Sequence, residues 1–258
     1  MPEKNFAGER PLFPVFYDLL HGNQEDLPAF LEMAHEMGPR ILELGSGTGR
    51  ISIPLAREGY QVTGIEKSPE MAAYCQDKVE KEKREVQQKI NIIEKDIKEM
   101  KAKRKFDLIL APNNFINYFI NVKELRTLFK KVKEMLKDEG YFVIDNSVPD
   151  LSAMVANNDQ EKSFEFNLPA SDKIIIDRFH PQYDFVKQLE YDQIILEEYE
   201  EEELIRREKK EETLTFYFPR ELRILIQEEF NIVEERGSLL EKAPITKESR
   251  EMVFICEK

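Results

Sequence analysis

The chain has 258 residues, 41% of them hydrophobic, enough for one large α/β domain with an insertion or for two small domains with buried cores. Its 51 acidic and 38 basic residues leave a net charge of −13, a field that repels phosphate backbones and argues against a nucleic-acid partner. No apolar run approaches 18 residues, and the opening MPEKNFAGERPLFPVFYDLL is broken by prolines and charges, so neither a membrane span nor a leader is expected.

From Arg40 the sequence alternates short apolar runs with amphipathic stretches. RILELG is a strand, ISIPLAREG a short helix closed by Gly59, and YQVTGIE a second strand. SPEMAAYCQDKVEKEKREVQQ is one helix with Ser68 as N-cap and Pro69 at its first position. INIIEKD and FDLILAP make strands three and four. VKELRTLFKKVKEML is a helix with Val122, Leu125, Leu128, Phe129, Val132, Met135 and Leu136 on one face, and GYFVIDN is strand five.

After Asp150 the texture changes. KIIIDRFH, DFVKQLEYDQIIL and TLTFYF are β-branched and aromatic, with a turn expected at Pro181 and Gln182, and they predict an antiparallel sheet at about 164–218. The intervening EEYEEEELIRREKKEE contains good helix formers, yet strand-like segments flank it, so a twisted exposed hairpin is preferred to a helix. PRELRILIQEE then reads as a helix, and FNIVEERGS and REMVFICEK as two last strands. The expected fold is α/β, a Rossmann-like doubly wound, mostly parallel seven-stranded sheet with an antiparallel sheet inserted between strands five and six. Residues 1–150 and 219–258 would form the main domain and 164–218 a lid.

Cys75 and Cys256 lie far apart, without a C-x-x-C motif, and only His21, His35 and His180 could join them. Two buried thiols in a reducing, cytoplasmic compartment are expected, and no metal site. The basic runs KAKRK (101–105) and RREKK (206–210) lack interleaved aromatics and read as solvated faces. His180, before Pro181, reads as an exposed turn histidine.

The stretch ILELGSGTGR places Gly45, Gly47 and Gly49 between a strand and a helix, where bare backbone and free N–H groups let a ligand approach. A dinucleotide fingerprint would need glycine at position 50, where Arg50 stands. The run ELGSGTGR instead resembles the E/D-x-G-x-G-x-G signature of class I S-adenosylmethionine-dependent methyltransferases. Glu66 closing strand two, Asp96 after strand three and FDLILAPNNFINYF at strand four extend the likeness. LKDEGYFVID resembles that family's Lys-Pro-Gly-Gly stretch, with Asp138 and Glu139 as departures in a turn. FYDLL (16–20) and TFYFPRELRILIQEEFNIVEERGS look like segments of a small-molecule subgroup that includes glycine and amino-sugar N-methyltransferases.

The resemblance implies S-adenosylmethionine as cofactor. Glu43, Gly45, Ser46, Gly47, Thr48 and Gly49 would cradle its methionine and ribose part, and Glu66, followed by Lys67, would accept from both ribose hydroxyls. Asp96, with Ile97, would accept from the adenine amino group, Pro112 and Asn113 would flank the departing methyl, and Tyr17 would cap the cofactor. The residues also allow plainer roles: Asp96 as a strand-ending turn residue, Tyr17 as a core aromatic. Glu43 is harder to explain plainly, because a charge on a buried strand needs a partner and the cofactor's ammonium would be one.

Methyl transfer from an activated donor asks mainly for alignment of donor and acceptor. Asn113 and Asn114 could orient an amine or hydroxyl, with Tyr118 and Tyr217 as walls and the inserted sheet as roof. The expected activity is methylation of a nitrogen or oxygen on a small-molecule acceptor by a monomer or homodimer. Two rivals stand beside it: a cofactor-binding protein without turnover, and a nicotinamide oxidoreductase, which Arg50 disfavours.

Overall fold

The structure is a computed structural model that describes residues 11–22, 25–100, 105–169 and 171–258. Most of the basic run KAKRK, at 101–104, lies outside the described residues. The elements in chain order are α1 (Leu12–Leu20), α2 (Leu27–Met37), β1 (Arg40–Leu44), α3 (Ser52–Arg57), β2 (Gln61–Glu66), α4 (Pro69–Glu80), α5 (Arg84–Gln87) and β3 (Ile90–Glu94). β4 (Phe106–Ala111), α6 (Val122–Met135), β5 (Leu136–Ser147), α7 (Leu151–Asn157), β6 (Lys162–Asn167), β7 (Lys173–Asp184), β8 (Leu189–Glu200) and β9 (Glu203–Thr215) follow. α8 (Pro219–Gln227), β10 (Asn231–Arg236) and β11 (Glu251–Glu257) close the chain. Contacts divide it into a smaller unit, the described residues up to Gly22 with Leu151–Thr215, and a larger one, the described residues from Glu25 to Asp150 with Phe216–Lys258.

The larger unit is built on a seven-stranded sheet in the order β10-β11-β5-β4-β1-β2-β3, with β11 antiparallel to both its neighbours. Its strands read as nearly continuous apolar runs because both faces are covered. Ile41, Leu108, Leu110 and Val143 point to the face packed by α2, α3 and α4, whereas Leu42, Leu44, Ile109, Phe142 and Ile144 point to the face packed by α6 and α8. Chain order reverses direction between β1 and β4, which makes the carboxyl edge of those two strands the place where an open α/β sheet receives a ligand. Parallel pairing sets Glu43 opposite Gly64 and Glu66 opposite Glu94, so the ends of β1, β2 and β3 reach that edge together.

The smaller unit is a four-stranded antiparallel sheet, β6-β7-β8-β9, with α1 packed on it through Leu12 and Phe16 against Ile175 and Leu196. Glu208 on β9 accepts from the backbone N–H groups of Leu12 at 2.9 and 3.0 Å and of Phe13 at 3.4 Å, satisfying donors that the first turn of α1 leaves open. The charge-rich middle is the expected hairpin. β8 pairs with β9 along its length, and the chain reverses at Glu201, whose φ is 55°.

Four expectations are corrected. The helix expected across 68–88 breaks after Glu80, because Val86 is the next buried apolar residue after Val79, and the Gln87 amide closes the break on the carbonyls of Glu80 and Glu82 at 2.9 Å. Strand five begins at Leu136, paired with Phe106, so Asp138 and Glu139 lie in a strand and not in a turn. The inserted segment starts earlier than Phe164, with α7 and then β6 from Lys162. Pro181 and Gln182 continue β7; β6 has already ended opposite Phe179, so the missing proline N–H costs no bond to that neighbour, and the turn falls at 185–188. His180 is therefore a strand residue, with Nε2 3.0 Å from Asp159 Oδ1. Both cysteines are buried free thiols.

Candidate active site

The loop after β1 turns through three glycines in the left-handed region, Gly45 at φ 70°, Gly47 at 52° and Gly49 at 80°. Their surroundings separate them. A Cβ on Gly45 would stand 2.5 Å from the Phe115 ring, and one on Gly49 would stand 2.5 Å from Cys75 Sγ, so both are required by packing. A Cβ on Gly47 would meet nothing closer than Met71 Cε at 3.8 Å. A Cβ at Gly47 would sit in ordinary contact, so packing inside the protein does not demand a glycine there.

Side chains from the neighbouring strand ends hold this loop. Glu66 accepts from Gly47 N–H through Oε2 at 2.9 Å and from Ser68 N–H through Oε1 at 2.7 Å, while Gly45 and Ser46 N–H donate to the Ile65 carbonyl at 2.8 and 3.0 Å. A carboxylate offers about four lone-pair sites, so Glu66 can pin the loop and still accept from a ligand. Ser46 fits because β2 carries Gly64 beneath it: a Cβ there would lie 2.6 Å from Ser46 Oγ. That hydroxyl oxygen is buried without a hydrogen-bond partner. Thr48 is buried, and Lys67 is exposed.

Glu43 and Asp145 share the sheet face of Ile41 and Val143 and form the acidic floor. Glu43 is 2% exposed and accepts from the Ser52 hydroxyl. Burial pushes its carboxyl up to about 8, against the opposing pull of Ser52 and Arg50 and with a push from Glu66. Burial likewise raises Asp145 to about 6, opposed by the Asn113 N–H and by Arg50. Arg50 itself pairs with Asp26, whose Oδ2 is 2.7 Å from one guanidinium nitrogen. The position that a dinucleotide loop would leave bare holds a buried arginine paired with a half-buried aspartate.

The loop after β4 is fixed from β5. Asn113 and Asn114 are both left-handed, at φ 51° and 61°, a conformation asparagine tolerates better than most residues. Asn113 N–H donates to Asp145 Oδ2 at 3.0 Å, Asn114 N–H to the Asp145 carbonyl at 3.1 Å, and Asn114 Oδ1 accepts from Ser147 N–H at 2.6 Å. Phe115 then reaches the space beside Gly45, locking the two loops together.

Glu43, the glycine loop, Glu66 and the Pro112–Asn114 turn therefore come to one carboxyl edge, as the sequence pattern implies. Asp96 caps the short turn at Ile97–Glu99 through Oδ1 and Lys98 N–H at 2.8 Å, and Ile97 is buried. Tyr17 lies on α1 in the smaller unit, its ring centroid 4.5 Å from that of His21. Tyr118 is 48% exposed, while Tyr217 is 3% exposed and donates to the Phe119 carbonyl at 2.8 Å, a core tyrosine and not a pocket wall. Sequence reasoning missed Asp145, Asp26, Phe115 and Gly64. Only Gly64, an isolated glycine inside a strand pattern, carried a local signal.

The family described as "Methyltransferase domain" matches residues 41–140. A protein of Bacillus subtilis (strain 168) named "Putative methyltransferase YqeM" is 33% identical over 136 residues, covering 52% of this chain and 53% of YqeM. The chain spans about half the length of the curated relatives it matches. Among solved structures, an S-adenosylmethionine-dependent methyltransferase from Clostridium acetobutylicum ATCC 824 superposes with a TM-score of 0.76 at 19% identity, over 95% of this chain and 97% of that one. The sugar N-methyltransferase KedS8 from Streptoalloteichus sp. ATCC 53650 gives 0.73 at 13% identity, over 100% and 98%. Residues 41–140 of this chain are similar to the methyltransferase-domain family, within a fold shared with an S-adenosylmethionine-dependent methyltransferase of known structure.

Proposed function

We propose that this chain binds S-adenosylmethionine and transfers its methyl group to a nitrogen or oxygen of a small-molecule acceptor. The observation that carries the reading is Gly47, a left-handed glycine at which a Cβ would fit in ordinary contact although its two neighbouring glycines are tightly packed. The rest of the loop suits such a ligand. Ser46 offers a buried hydroxyl without a partner, and Glu43 is a buried acid that an ammonium would satisfy. Glu66 keeps lone pairs for two ribose hydroxyls, and Asp96 uses Oδ1 on its own turn, leaving Oδ2 to accept from an adenine amino group.

When bound, the cofactor supplies a methyl group on a sulfonium that departs as a neutral thioether. The protein's share is alignment and exclusion of water: the backbone of 45–49 holds the donor, and the stapled turn at Asn113 and Asn114 presents rigid polar groups beside it. Well-oriented reactants gain about 7–11 kcal/mol from such positioning. KedS8, similar to this chain in fold, acts on a sugar nitrogen by name, which favours a small amine among the acceptors to test.

Calorimetry against S-adenosylhomocysteine and NAD, followed by methyl transfer to a panel of small amines and alcohols, tests the reading. Tight binding of NAD with indifference to S-adenosylhomocysteine would sink it. Within the site, Glu66→Gln is expected to weaken S-adenosylhomocysteine by about 1.5–3 kcal/mol, the range for hydrogen bonds to a charged group. A variant that folds normally and binds as wild type would detach the end of β2 from the cofactor.

A further inference from the structure

Asp145, at the end of β5, performs a visible task that needs no charge. Its Oδ2 accepts from Asn113 N–H at 3.0 Å and its carbonyl from Asn114 N–H at 3.1 Å, and together they hold the left-handed turn after β4. The amide oxygen of an asparagine would accept from Asn113 as well. The position carries an acid instead, raised by desolvation to about 6. Glu251 and Asp26 push it further up, and Arg50 pulls it down. These are the charged groups that face the carboxyl from β11, the start of α2 and the end of the glycine loop.

None of them neutralises it. Arg50 sets its two terminal nitrogens 2.5 and 2.7 Å from the Asp26 carboxylate, and Glu251 accepts from Leu239 N–H at 2.8 Å. Three carboxyls therefore share one guanidinium. Among the described residues, the Asn113 N–H is the only hydrogen-bond donor to the Asp145 carboxyl, and it is taken by Oδ2. Oδ1 receives none, on a residue that is half-buried and not sealed in the core. Register fixes where that oxygen stands. β4 and β5 pair through Ala111 and Ile144, so Asp145, one step on, comes level with Pro112 at the carboxyl edge of the sheet. It shares a sheet face with Glu43, two strands away. A desolvated carboxylate among like charges is costly, and a cation supplied from outside would offset that cost.

We propose that Asp145 is a specificity residue that pairs with the positive charge of the methyl donor and so separates S-adenosylmethionine from its neutral product. The inference deepens the methyl-transfer reading and rests on it. Donor and product carry the same ammonium, carboxylate and nucleoside. They differ at sulfur, a sulfonium in the donor and a neutral thioether once the methyl has left and the electron pair of the broken C–S bond has stayed on sulfur. Glu43, the glycine loop and Glu66 would each meet a part common to both molecules. Asp145 is bonded to the turn proposed to flank the methyl, so it is the acid placed to sense the charge. Capture of the donor and release of the spent product would both follow. Below about pH 6 the carboxyl holds its proton and offers no charge; above that it ionises, so the preference grows as pH rises. Glu43, raised to about 8, would meet the ammonium present in both molecules, and its titration cancels from their ratio.

The test is calorimetry on the full chain with S-adenosylmethionine, sinefungin and S-adenosylhomocysteine at pH 5 and pH 7.5. Sinefungin carries a protonated amine in place of the methylated sulfonium, so it supplies the charge without a methyl to lose. At pH 7.5 both cations are expected to bind at least tenfold more tightly than S-adenosylhomocysteine, about 1.4 kcal/mol. At pH 5 the ratio should shrink toward one. Asp145→Asn keeps an acceptor for Asn113 N–H and should bring the ratio at pH 7.5 toward one. In the wild-type protein, which needs no variant to fold, absence of a preference for the cations or a ratio independent of pH would overturn the inference. A ratio that persists in Asp145→Asn, or a variant that loses all three ligands in equal proportion, would mean that Asp145 only holds the turn, and would overturn it too. Failure of all three ligands to bind the wild type would instead count against the methyl-transfer reading itself, and the inference would fall with it.

Discussion

Gly47→Val is expected to lower S-adenosylhomocysteine affinity at least 100-fold, about 2.7 kcal/mol, while the protein stays folded. A Cβ at this position would meet nothing closer than Met71 Cε at 3.8 Å, so the protein can hold the side chain, and on the proposed reading its branches would crowd the face of the loop that meets the cofactor. The left-handed φ of 52° adds a local cost of about 1–2 kcal/mol to the fold, which thermal melting would register as a modest shift. Gly49→Ala provides the contrast: its Cβ would lie 2.5 Å from Cys75 Sγ and 2.9 Å from Ile53 Cδ1, an overpacking expected to cost about 1–3 kcal/mol of stability. Calorimetry and melting on both variants separate a ligand-facing glycine from a packing glycine. Wild-type affinity in folded Gly47→Val would remove the loop from the site.

The second large effect concerns pH and Glu43. In the unfolded chain this carboxyl ionises above its ordinary value of 4.5, whereas in the folded protein burial keeps it protonated up to about 8. Between those values the folded state binds more protons than the unfolded state, so raising the pH favours unfolding, by up to about 1.4 kcal/mol per pH unit from this group. Gln at position 43 keeps an acceptor for the Ser52 hydroxyl and does not titrate. Urea unfolding of the larger unit at pH 5, 6, 7 and 8 should therefore show Glu43→Gln gaining on the wild type as pH rises. Asp145, raised to about 6, contributes in the same direction in both proteins and cancels from the comparison. Parallel curves for the two proteins would mean that Glu43 is ionised in the folded state without any ligand.

Much of the larger unit could be read from local chemistry. Ser68 and Pro69 announced the start of α4, and the Ser68 hydroxyl does accept from Met71 N–H at 3.4 Å. The alternation of apolar strands with amphipathic helices fixed the order of parallel elements, and the inserted antiparallel sheet was visible in its β-branched runs. What failed was set by partners distant in sequence. Pro181 continues a strand only because β6 stops short of it, and Asp138 and Glu139 join β5 only because Leu136 pairs with Phe106. Neither fact has a local signature.

The candidate site divides along the same line. Glycines and strand-ending acids form a contiguous pattern, so Glu43, Gly47 and Glu66 could be named from spacing and resemblance. Asp145 lies 32 residues from the Asn113 N–H it accepts, and Asp26 lies 24 from Arg50, so both emerged only when the strands were assembled. Tyr217 looked like a wall because it is aromatic and near the end of the insertion, yet its hydroxyl is spent on the Phe119 carbonyl. An aromatic with a polar tip can serve a core or a pocket equally well, and the sequence carries no mark that distinguishes the two.

The central claim is that the edge formed by Gly47 and Glu66 receives S-adenosylmethionine. A crystal structure of the full chain grown with S-adenosylhomocysteine tests it most directly. The account predicts the ribose hydroxyls within hydrogen-bond distance of Glu66, backbone contact at Gly47, and the amino group of the homocysteine part toward the buried Glu43 side of the loop. A nucleoside bound away from this loop, or a loop left unchanged and empty at saturating ligand, would contradict it.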